Sequence, residues 1–305
     1  MLTIRRVLFP TDFSEAAARA FPQAAFLADW HDAELHIVNV TEGGEAPEHT
    51  LPVGPERLGE WLGESRTGAA PDWDALPVVQ KQVSGEPAER LLAYVDDRDI
   101  DLVVMGTHGR RGVRRMLLGS VTEEVIRGAE CPVLTVRTDA PEAPRTAVRR
   151  ILVPVDFSEA AEMAVQHAKE IAQTYGAEIH LLHVIEEVMY PSAYGVEMPP
   201  LSSEEVVGRL ERSLGNMARE DIGYEHVQIS VTVGYAPLSI LDYVEENEVD
   251  LLVIATHGRT GLDRVLLGSV AERVLRQSPV PVFVVKPDRK SLVPPAKKEA
   301  AAARG

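Results

Sequence analysis

Two glycine-rich segments of this chain have the composition of a phosphate-binding loop. In the first, Gly106-Thr-His-Gly109 and Gly119-Ser120 enclose nine residues, and in the second Ala255-Thr-His-Gly258 and Gly268-Ser269 enclose the same number. Each of these glycine frames follows an apolar run that predicts a buried strand. Because glycine lets a backbone approach a phosphate without an intervening Cβ, the two frames predict two phosphate sites.

Ser120 and Ser269 can each play either of two roles. Each lies at the start of a predicted helix, where the first amides have no intrahelical partner and the dipole favours an anion. A phosphate held between Gly106, Gly109 and Gly119-Ser120 would accept hydrogen bonds from such amides. The alternative is a capping box, since a glutamate stands three residues after each serine.

Two aspartates occur where a nucleotide could contact them. Asp12 and Asp156 follow the first predicted strand of their segment, in Pro-Thr-Asp-Phe-Ser-Glu and Pro-Val-Asp-Phe-Ser-Glu. In an open α/β sheet this places them at the same carboxyl edge as the glycine frames. A carboxylate there can accept hydrogen bonds from a ribose or an adenine amino group. Because a glutamate follows by three residues, a helix cap is again the alternative.

These residues recur because the chain contains two copies of one domain. The run from Ile4 to Ala17 reappears from Val148 to Ala161, at an offset of 144 residues, and the glycine frames recur at an offset of 149. Strands alternate with helices, and several strands are apolar on both faces, which predicts parallel sheets covered on both sides. We predict two tandem doubly wound open α/β sandwiches, each with a five-stranded parallel sheet.

The predicted domains cover residues 1–140 and 147–287. Between them, residues 137–144 are polar and contain prolines, which is typical of a linker. Residues 288–305 are rich in Lys, Ala and Pro without a periodic apolar face, so we predict a tail without fixed structure. The extra residues of the second copy include Ser203–Glu220, which predicts a longer amphipathic helix than its counterpart.

Composition and charge exclude several classes of function. The 305 residues include 31 Lys+Arg against 47 Asp+Glu, a net charge of −16, which does not fit a nucleic-acid surface. A local basic cluster suits a small anion instead: Arg110, Arg111, Arg114 and Arg115. Since the sequence has neither a membrane-spanning apolar run nor the apolar part of a signal peptide, we expect a cytoplasmic protein without a membrane partner.

The glycine frames differ from other nucleotide motifs. The lysine of a P-loop is absent, and the frames follow the fourth strand of each copy, whereas a dinucleotide motif follows the first. His108 and His257 either contact a phosphate or fill a turn. His180 and His183 lie three apart on a strand and so face opposite sides, which excludes joint chelation. A magnesium ion carried in with the nucleotide would rely on phosphate oxygens and water.

With its two Pro-x-Asp-Phe-Ser starts, Thr-His-Gly-Arg loops and Leu-Leu-Gly-Ser-Val helix openings, the chain resembles a tandem universal stress protein over residues 2–137 and 147–286. The resemblance implies an adenine nucleotide alpha hydrolase-like fold that binds ATP. In this family Gly-x-x-Gly-(nine residues)-Gly-Ser/Thr holds the phosphates and ribose, while a first-strand Asp and a second-strand Val line the adenine pocket.

Carried over residue by residue, the resemblance implicates one set of positions in each copy. In the first copy these are Asp12, Val40, Gly106, Gly109, Gly119 and Ser120. In the second copy they are Asp156, Val184, Gly258, Gly268 and Ser269. Ala255 departs from the pattern, and its methyl group would crowd a ribose or phosphate.

Taken together, these residues favour a regulatory ATP-binding stress protein that acts through nucleotide occupancy and assembly. No evident general base or phosphate-directed lysine accompanies the loops, which disfavours turnover. A slow ATPase or phosphotransferase, and a scaffold with vestigial sites, stay open as alternatives. The final strand of each copy is expected at a sheet edge, which predicts an internal pseudo-dimer of the two domains. The resemblance to dimeric single-domain members implies the same arrangement, and a homodimer of the whole chain is compatible with it.

Overall fold

Alternating strands and helices form two α/β domains in this chain. The computed structural model describes residues 2–41, 49–50, 76–107, 118–137, 148–186, 203–256, 267–287 and 289–293. Domain 1 comprises Met1–Thr146 together with Asp288–Gly305, and domain 2 comprises Ala147–Pro287. The arginine cluster at 110–115 and most of the predicted linker lie outside the described residues.

Domain 1 alternates strands and helices, as its apolar pattern predicts. Its strands are β1 (Arg6–Pro10), β2 (Glu34–Thr41), β3 (His49–Thr50), β4 (Val78–Ser84), β5 (Leu102–Gly106) and β6 (Val133–Val136). Its helices are α1 (Glu15–Trp30), α2 (Pro87–Asp97) and α3 (Ser120–Gly128).

Domain 2 repeats this order without a counterpart of β3 among the described residues. Its strands are β7 (Arg150–Pro154), β8 (Glu178–Ile185), β9 (Val227–Val233), β10 (Leu251–Ala255) and β11 (Val282–Val285). Its helices are α4 (Glu159–Tyr175), α5 (Glu204–Asn216), α6 (Ala236–Glu246) and α7 (Ser269–Gln277). The helix predicted over Ser203–Glu220 ends as a π-helical turn at Met217–Ile222, and Gly223 follows it with φ 57°.

The first strand of each domain lies at the centre of its sheet. In domain 1 the order is β3-β4-β2-β1-β5-β6, and β1 pairs in parallel with both β2 and β5. In domain 2 the order is β11-β10-β7-β8-β9, with every pair parallel, as predicted. The antiparallel β3 was not predicted, because two residues are too few to show an alternating pattern.

Helices cover both faces of the domain 1 sheet. The ring of Phe9 on β1 lies 5.2 Å from that of Phe21 on α1. Leu8, the next residue of β1, is paired with His36 of β2, whose imidazole contacts Tyr94 of α2. Neighbouring residues of a strand face opposite sides, so α1 and α2 cover opposite faces.

In each sheet, a buried histidine on the second strand contacts a tyrosine hydroxyl. In domain 1, His36 Nδ1 lies 2.8 Å from the Tyr94 hydroxyl, and Nε2 lies 2.9 Å from Glu34 Oε2. The carboxylate only accepts hydrogen bonds, so the neutral ring carries its proton on Nε2 and the tyrosine hydroxyl donates to Nδ1. In domain 2, His180 Nδ1 lies 3.0 Å from the Tyr243 hydroxyl. The histidine–tyrosine contact is therefore a repeated feature of the fold.

At the amino edge of each sheet, an aspartate accepts hydrogen bonds from the backbone amides at the start of the central strand. Asp101, just before β5, accepts hydrogen bonds at Oδ2 from the backbone amides of Arg5 and Arg6, at 2.7 and 2.9 Å. Asp250 accepts equivalent bonds at Oδ2 from the backbone amides of Arg149 and Arg150, at 2.9 and 3.1 Å. Because a carboxylate accepts such bonds strongly, each aspartate fixes where the central strand begins.

The last described segment of the chain, Arg289–Val293, packs on domain 1. Lys290 Nζ lies 2.6 Å from Asp101 Oδ1, and the Thr3 amide donates to the Leu292 carbonyl at 3.1 Å. The Leu292 side chain is buried. These five residues belong to the segment for which the sequence predicts no fixed structure, and here that prediction is wrong. Composition is a local property, whereas the residues that contact this segment are about 160–290 positions away in the sequence.

Deleting residues 288–305 should destabilise domain 1 by about 1–3 kcal/mol, because it removes the cation beside a buried carboxylate and exposes the pocket of Leu292. All three tryptophans, at positions 30, 61 and 73, belong to domain 1, so tryptophan fluorescence during urea unfolding reports this domain. Deleting only residues 294–305 is the matched control. Equal stability of the two truncated chains would contradict the prediction.

Acidification should destabilise domain 1 through His36. Burial lowers the pKa of His36 below 6.5, Glu34 opposes this shift, and Arg98 and Arg6 add to it. The unfolded chain then takes up a proton at a higher pH than the folded chain does. The contribution of His36 to the stability of domain 1 is fully present above about pH 6.5. It is lost as the pH drops towards the lower pKa that His36 has in the folded state. Between pH 8 and pH 5, the free energy of unfolding measured by tryptophan fluorescence should fall less steeply for His36→Gln than for the unmutated chain. Parallel profiles for the two proteins would contradict this prediction.

Candidate functional site

The carboxyl edge of each sheet brings the predicted ligand residues together. Asp12 lies two residues beyond β1, Val40 is near the end of the neighbouring β2, and Gly106 ends β5 on the other side. The parallel pairings of β1 with β2 and β5 place all three at one edge. Domain 2 repeats this with Asp156, Val184 and Ala255 around β7.

The aspartates shape the loop that precedes the first helix. Asp12 Oδ1 accepts a hydrogen bond from the Ser14 amide at 3.0 Å, and Ser14, not Asp12, is the N-cap of α1. Asp156 likewise accepts from the Ser158 amide at 3.0 Å and the Ser158 hydroxyl at 2.5 Å. The alternative role of the aspartates as helix caps is wrong, because the helices begin two residues later than that role requires.

The residue after each aspartate has a strained backbone. Phe13 has φ 60° and Phe157 has φ 62°, in the left-handed region that costs an ordinary residue roughly 1–2 kcal/mol. Such conformations persist where surrounding contacts fix them, and they concentrate at functional sites. The left-handed conformation of Phe13 and Phe157 turns the chain between the aspartate and the helix.

The glycines before the last helix described in each domain, α3 and α7, act as N-caps. Gly119 has φ −60° and ψ 141°, its amide donates to the Thr107 carbonyl at 2.8 Å, and α3 begins at Ser120. Gly268 makes the same bond to Thr256, also at 2.8 Å. The capping-box role is therefore wrong for both serines, since neither is an N-cap and neither N-cap has a side-chain bond.

With glycine as the cap, the helix amino terminus is open to a ligand. The first helical hydrogen bond in α3 joins the Glu123 amide to the Gly119 carbonyl, so three amides precede it. Ser120 and Ser269 are exposed at the first helical positions. The arrangement suits an anion, since both the amides and the helix dipole favour negative charge.

Space at the cap is limited on its inner side. A Cβ built on Gly268 would lie 3.1 Å from the Thr256 carbonyl oxygen, which is the acceptor of the Gly268 amide. A larger residue must therefore push the helix start away from the strand end. Glycine avoids this crowding and allows the close approach of the two backbone segments.

The two sites differ in how the strand before the frame is held. In domain 1 the Thr122 hydroxyl, on α3, donates to the Gly106 carbonyl at 3.0 Å. The equivalent residue of domain 2 is Ala271, which has no hydroxyl. Ala255 also replaces Gly106 and is partly exposed at the end of β10. Domain 2 therefore has a bulkier and less constrained strand end.

Val40 and Val184 occupy the position expected of residues that contact a flat apolar group. Both lie near the carboxyl end of the second strand of their sheet and are partly exposed, whereas the five residues before Val40 are buried. Gly109, Gly258, His108 and His257 lie outside the described residues.

The sequence analysis missed two polar residues on the second strands. Asn39 donates from Nδ2 to the Thr11 carbonyl at 2.8 Å, and His183 Nδ1 lies 2.6 Å from the Val155 carbonyl. Both side chains are buried next to the aspartate loop. A polar residue inside an otherwise apolar strand was the available signal, and for His183 it was used only to exclude a metal.

Within the described ranges, no group of three or more His, Cys, Asp or Glu side chains is arranged to hold a metal ion. Nor does any helix in that part of the chain combine the length and apolar character needed to cross a membrane. Among the described residues, each candidate site consists of helix-start amides, a capping glycine, a serine, a valine and one aspartate.

Comparison with known proteins identifies the fold and the family. The solved structure of a universal stress protein from Archaeoglobus fulgidus aligns with 92% of this chain and 96% of its own, with a TM-score of 0.61 and 23% identity. A universal stress protein of Mycobacterium tuberculosis H37Rv is 32% identical over 267 residues, 83% of this chain and 87% of its own.

A universal stress protein of Mycolicibacterium smegmatis is 31% identical over 302 residues, covering 92% of this chain and 97% of its own. The model of the universal stress protein family matches the chain twice, over residues 3–137 and 147–286. This chain therefore belongs to the universal stress protein family and contains two family domains in tandem.

Proposed function

We propose that each domain binds ATP and that the protein acts in the stress response as a regulatory nucleotide-binding protein. The observation that carries the proposal is the open amino terminus of α3, with Gly119 bonded to Thr107, at the same sheet edge as Asp12 and Val40. Backbone amides suit the phosphates, while a carboxylate and an apolar side chain suit the ribose and base. The equivalent residues of domain 2 support a second site.

The residues fit an anionic nucleotide better than they fit a catalytic centre. The helix amides and the exposed hydroxyl of Ser120 offer hydrogen-bond donors at a positive dipole end, and Gly268 leaves room for the close approach of backbone segments. Asp12 and Asp156 are already hydrogen-bonded to the helix-start serines. When bound, ATP would bring its own magnesium ion, held mainly by phosphate oxygens and water.

The nucleotide released from freshly purified full-length protein distinguishes this function from its alternatives. Chromatography and mass analysis should find intact ATP, and calorimetric titration of emptied protein should give saturable ATP binding with and without Mg²⁺. Release of ADP with slow turnover of added ATP would favour an ATPase. A chain that carries no nucleotide and binds none would favour the remaining alternative, a scaffold with vestigial sites.

Gly119→Val should abolish ATP binding in domain 1, and Gly268→Val should abolish it in domain 2. In each case a branched side chain occupies the space between strand end and helix start, as the 3.1 Å approach at Gly268 indicates. Gly208→Ala on α5 is the control, because its added Cβ meets only the end of the flexible Arg212 side chain, at 3.5 Å. Unchanged ATP affinity in a folded Gly119→Val protein would count against the pocket.

Domain 1 should bind ATP more tightly than domain 2, by roughly tenfold, which equals about 1.4 kcal/mol. Ala255 replaces Gly106 in domain 2, and the hydroxyl that Thr122 directs at the strand end is missing there. Calorimetry on full-length Gly268→Val and Gly119→Val proteins isolates the first and second sites respectively. A second site that binds as tightly as the first, or more tightly, contradicts the ranking.

The internal pseudo-dimer, and a homodimer of the whole chain, stay predictions about assembly. Small-angle scattering should show two domains held as one rigid body, and light scattering gives the number of chains. Thr135→Pro or Val284→Pro should loosen the domains, because proline removes a ladder donor from a final strand. Two independently tumbling domains in the unmutated chain would exclude the pseudo-dimer.

A further inference from the structure

The residue ahead of each site aspartate is bonded to the second strand through both its backbone amide and its backbone carbonyl. In domain 1 the Thr11 amide donates to the Val38 carbonyl at 2.8 Å, and the Thr11 carbonyl accepts from Asn39 Nδ2, also at 2.8 Å. This carbonyl belongs to the peptide bond that leads into Asp12. Two adjacent residues of β2 therefore orient the start of the aspartate loop.

Domain 2 reaches the same arrangement with a different side chain. The Val155 amide donates to the Leu182 carbonyl at 2.8 Å, and His183 Nδ1 lies 2.6 Å from the Val155 carbonyl. A carbonyl oxygen can only accept, so Nδ1 carries the proton of this bond. Asn39 and His183 share nothing but an N–H donor in this position, which indicates that the donor is what the loop needs.

The two donors are supported differently. Asn39 Oδ1 accepts from Gln82 Nε2 on β4 at 3.0 Å. Val231 occupies the position of Gln82 in domain 2, and there the imidazole packs on Phe157, with ring centroids 4.9 Å apart. Either support keeps a buried donor on the carbonyl, and a buried carbonyl without a donor is costly.

The aspartate loop needs such a restraint because it contains the strained Phe13 and Phe157. If the preceding peptide rotates, the left-handed residue can relax and the carboxylate turns with it. An aspartate that recognises a ligand must be held close to one orientation. The donor on the second strand supplies this restraint in both domains.

We propose that Asn39 and His183 are positioning residues that aim Asp12 and Asp156 at the ribose or base of the bound nucleotide. As far as the ligand is concerned, the proposal rests on the function proposed above. It separates two parts of the site: the positioning donors act on the nucleoside end, while the helix amides at Ser120 and Ser269 act on the phosphates.

The test compares ATP with inorganic triphosphate, which offers phosphates but no nucleoside. Full-length Gly119→Val leaves the second site to be measured alone. In it, His183→Phe keeps a ring without the donor and should weaken ATP binding about tenfold, the effect of one lost hydrogen bond. Triphosphate affinity should be unchanged, whereas general damage to the site would lower both affinities.

Rescue variants separate the donor from packing. His183→Asn, which places the residue of domain 1 in domain 2, should restore ATP affinity to within about twofold. In full-length Gly268→Val, Asn39→Leu removes the donor while keeping a side chain of similar volume. It should weaken the binding of ATP but leave the binding of inorganic triphosphate unchanged. Unchanged ATP affinity in His183→Phe and Asn39→Leu, or equal losses for ATP and triphosphate, would overturn the proposal.

Amide hydrogen exchange without nucleotide gives a second measurement that does not depend on ATP binding. The Ser14 and Ser158 amides are bonded to Asp12 and Asp156, so their exchange reports the aspartate loops. In His183→Phe the Ser158 amide should exchange roughly tenfold faster while Ser14 is unaffected. If the parent chain bound no ATP, the proposed function would fail on its own, and unchanged exchange at Ser158 would still refute the positioning.

Discussion

Each domain depends on one central strand that is hydrogen-bonded in parallel on both sides. Because β1 pairs with β2 and β5, their carboxyl ends lie at the same edge, and three residues far apart in sequence, Asp12, Val40 and Gly106, become neighbours. β7 does the same in domain 2. A change that shifted this pairing by one residue would turn the site residues to the wrong face.

Buried polar groups fix this arrangement at both edges of the sheet. At the amino edge, Asp101 and Asp250 accept the amides that begin the central strands. At the carboxyl edge, the glycine caps donate to Thr107 and Thr256, and Asn39 and His183 hold the aspartate loops. The apolar core drives folding, but it is non-directional, so these directional bonds decide the geometry of the loops.

The two copies separate what the fold requires from what can vary. The aspartate turn, the glycine cap and the buried His–Tyr pair occur in both domains. Three other features differ between the domains. The donor to the residue before the aspartate is Asn39 in one and His183 in the other, and that donor is supported by Gln82 or by Phe157. The hydroxyl that Thr122 directs at the strand end is present only in domain 1. These three differences lie towards the carboxyl edge of the sheets, next to the candidate sites.

Sequence by itself determined the repeat, the alternation of strands and helices, the family and the nearness of the glycine frames to the aspartates, because these follow from local periodicity and from motifs at fixed spacing. It left open whether Ser120 is the N-cap of α3, and it misjudged Arg289–Val293. Only the tertiary structure decided these points: Gly119 is the N-cap, and Leu292 and Lys290 pack on domain 1. Both outcomes depend on partners distant in the chain, Thr107 for the cap and Thr3 and Asp101 for the end segment, which no local pattern encodes.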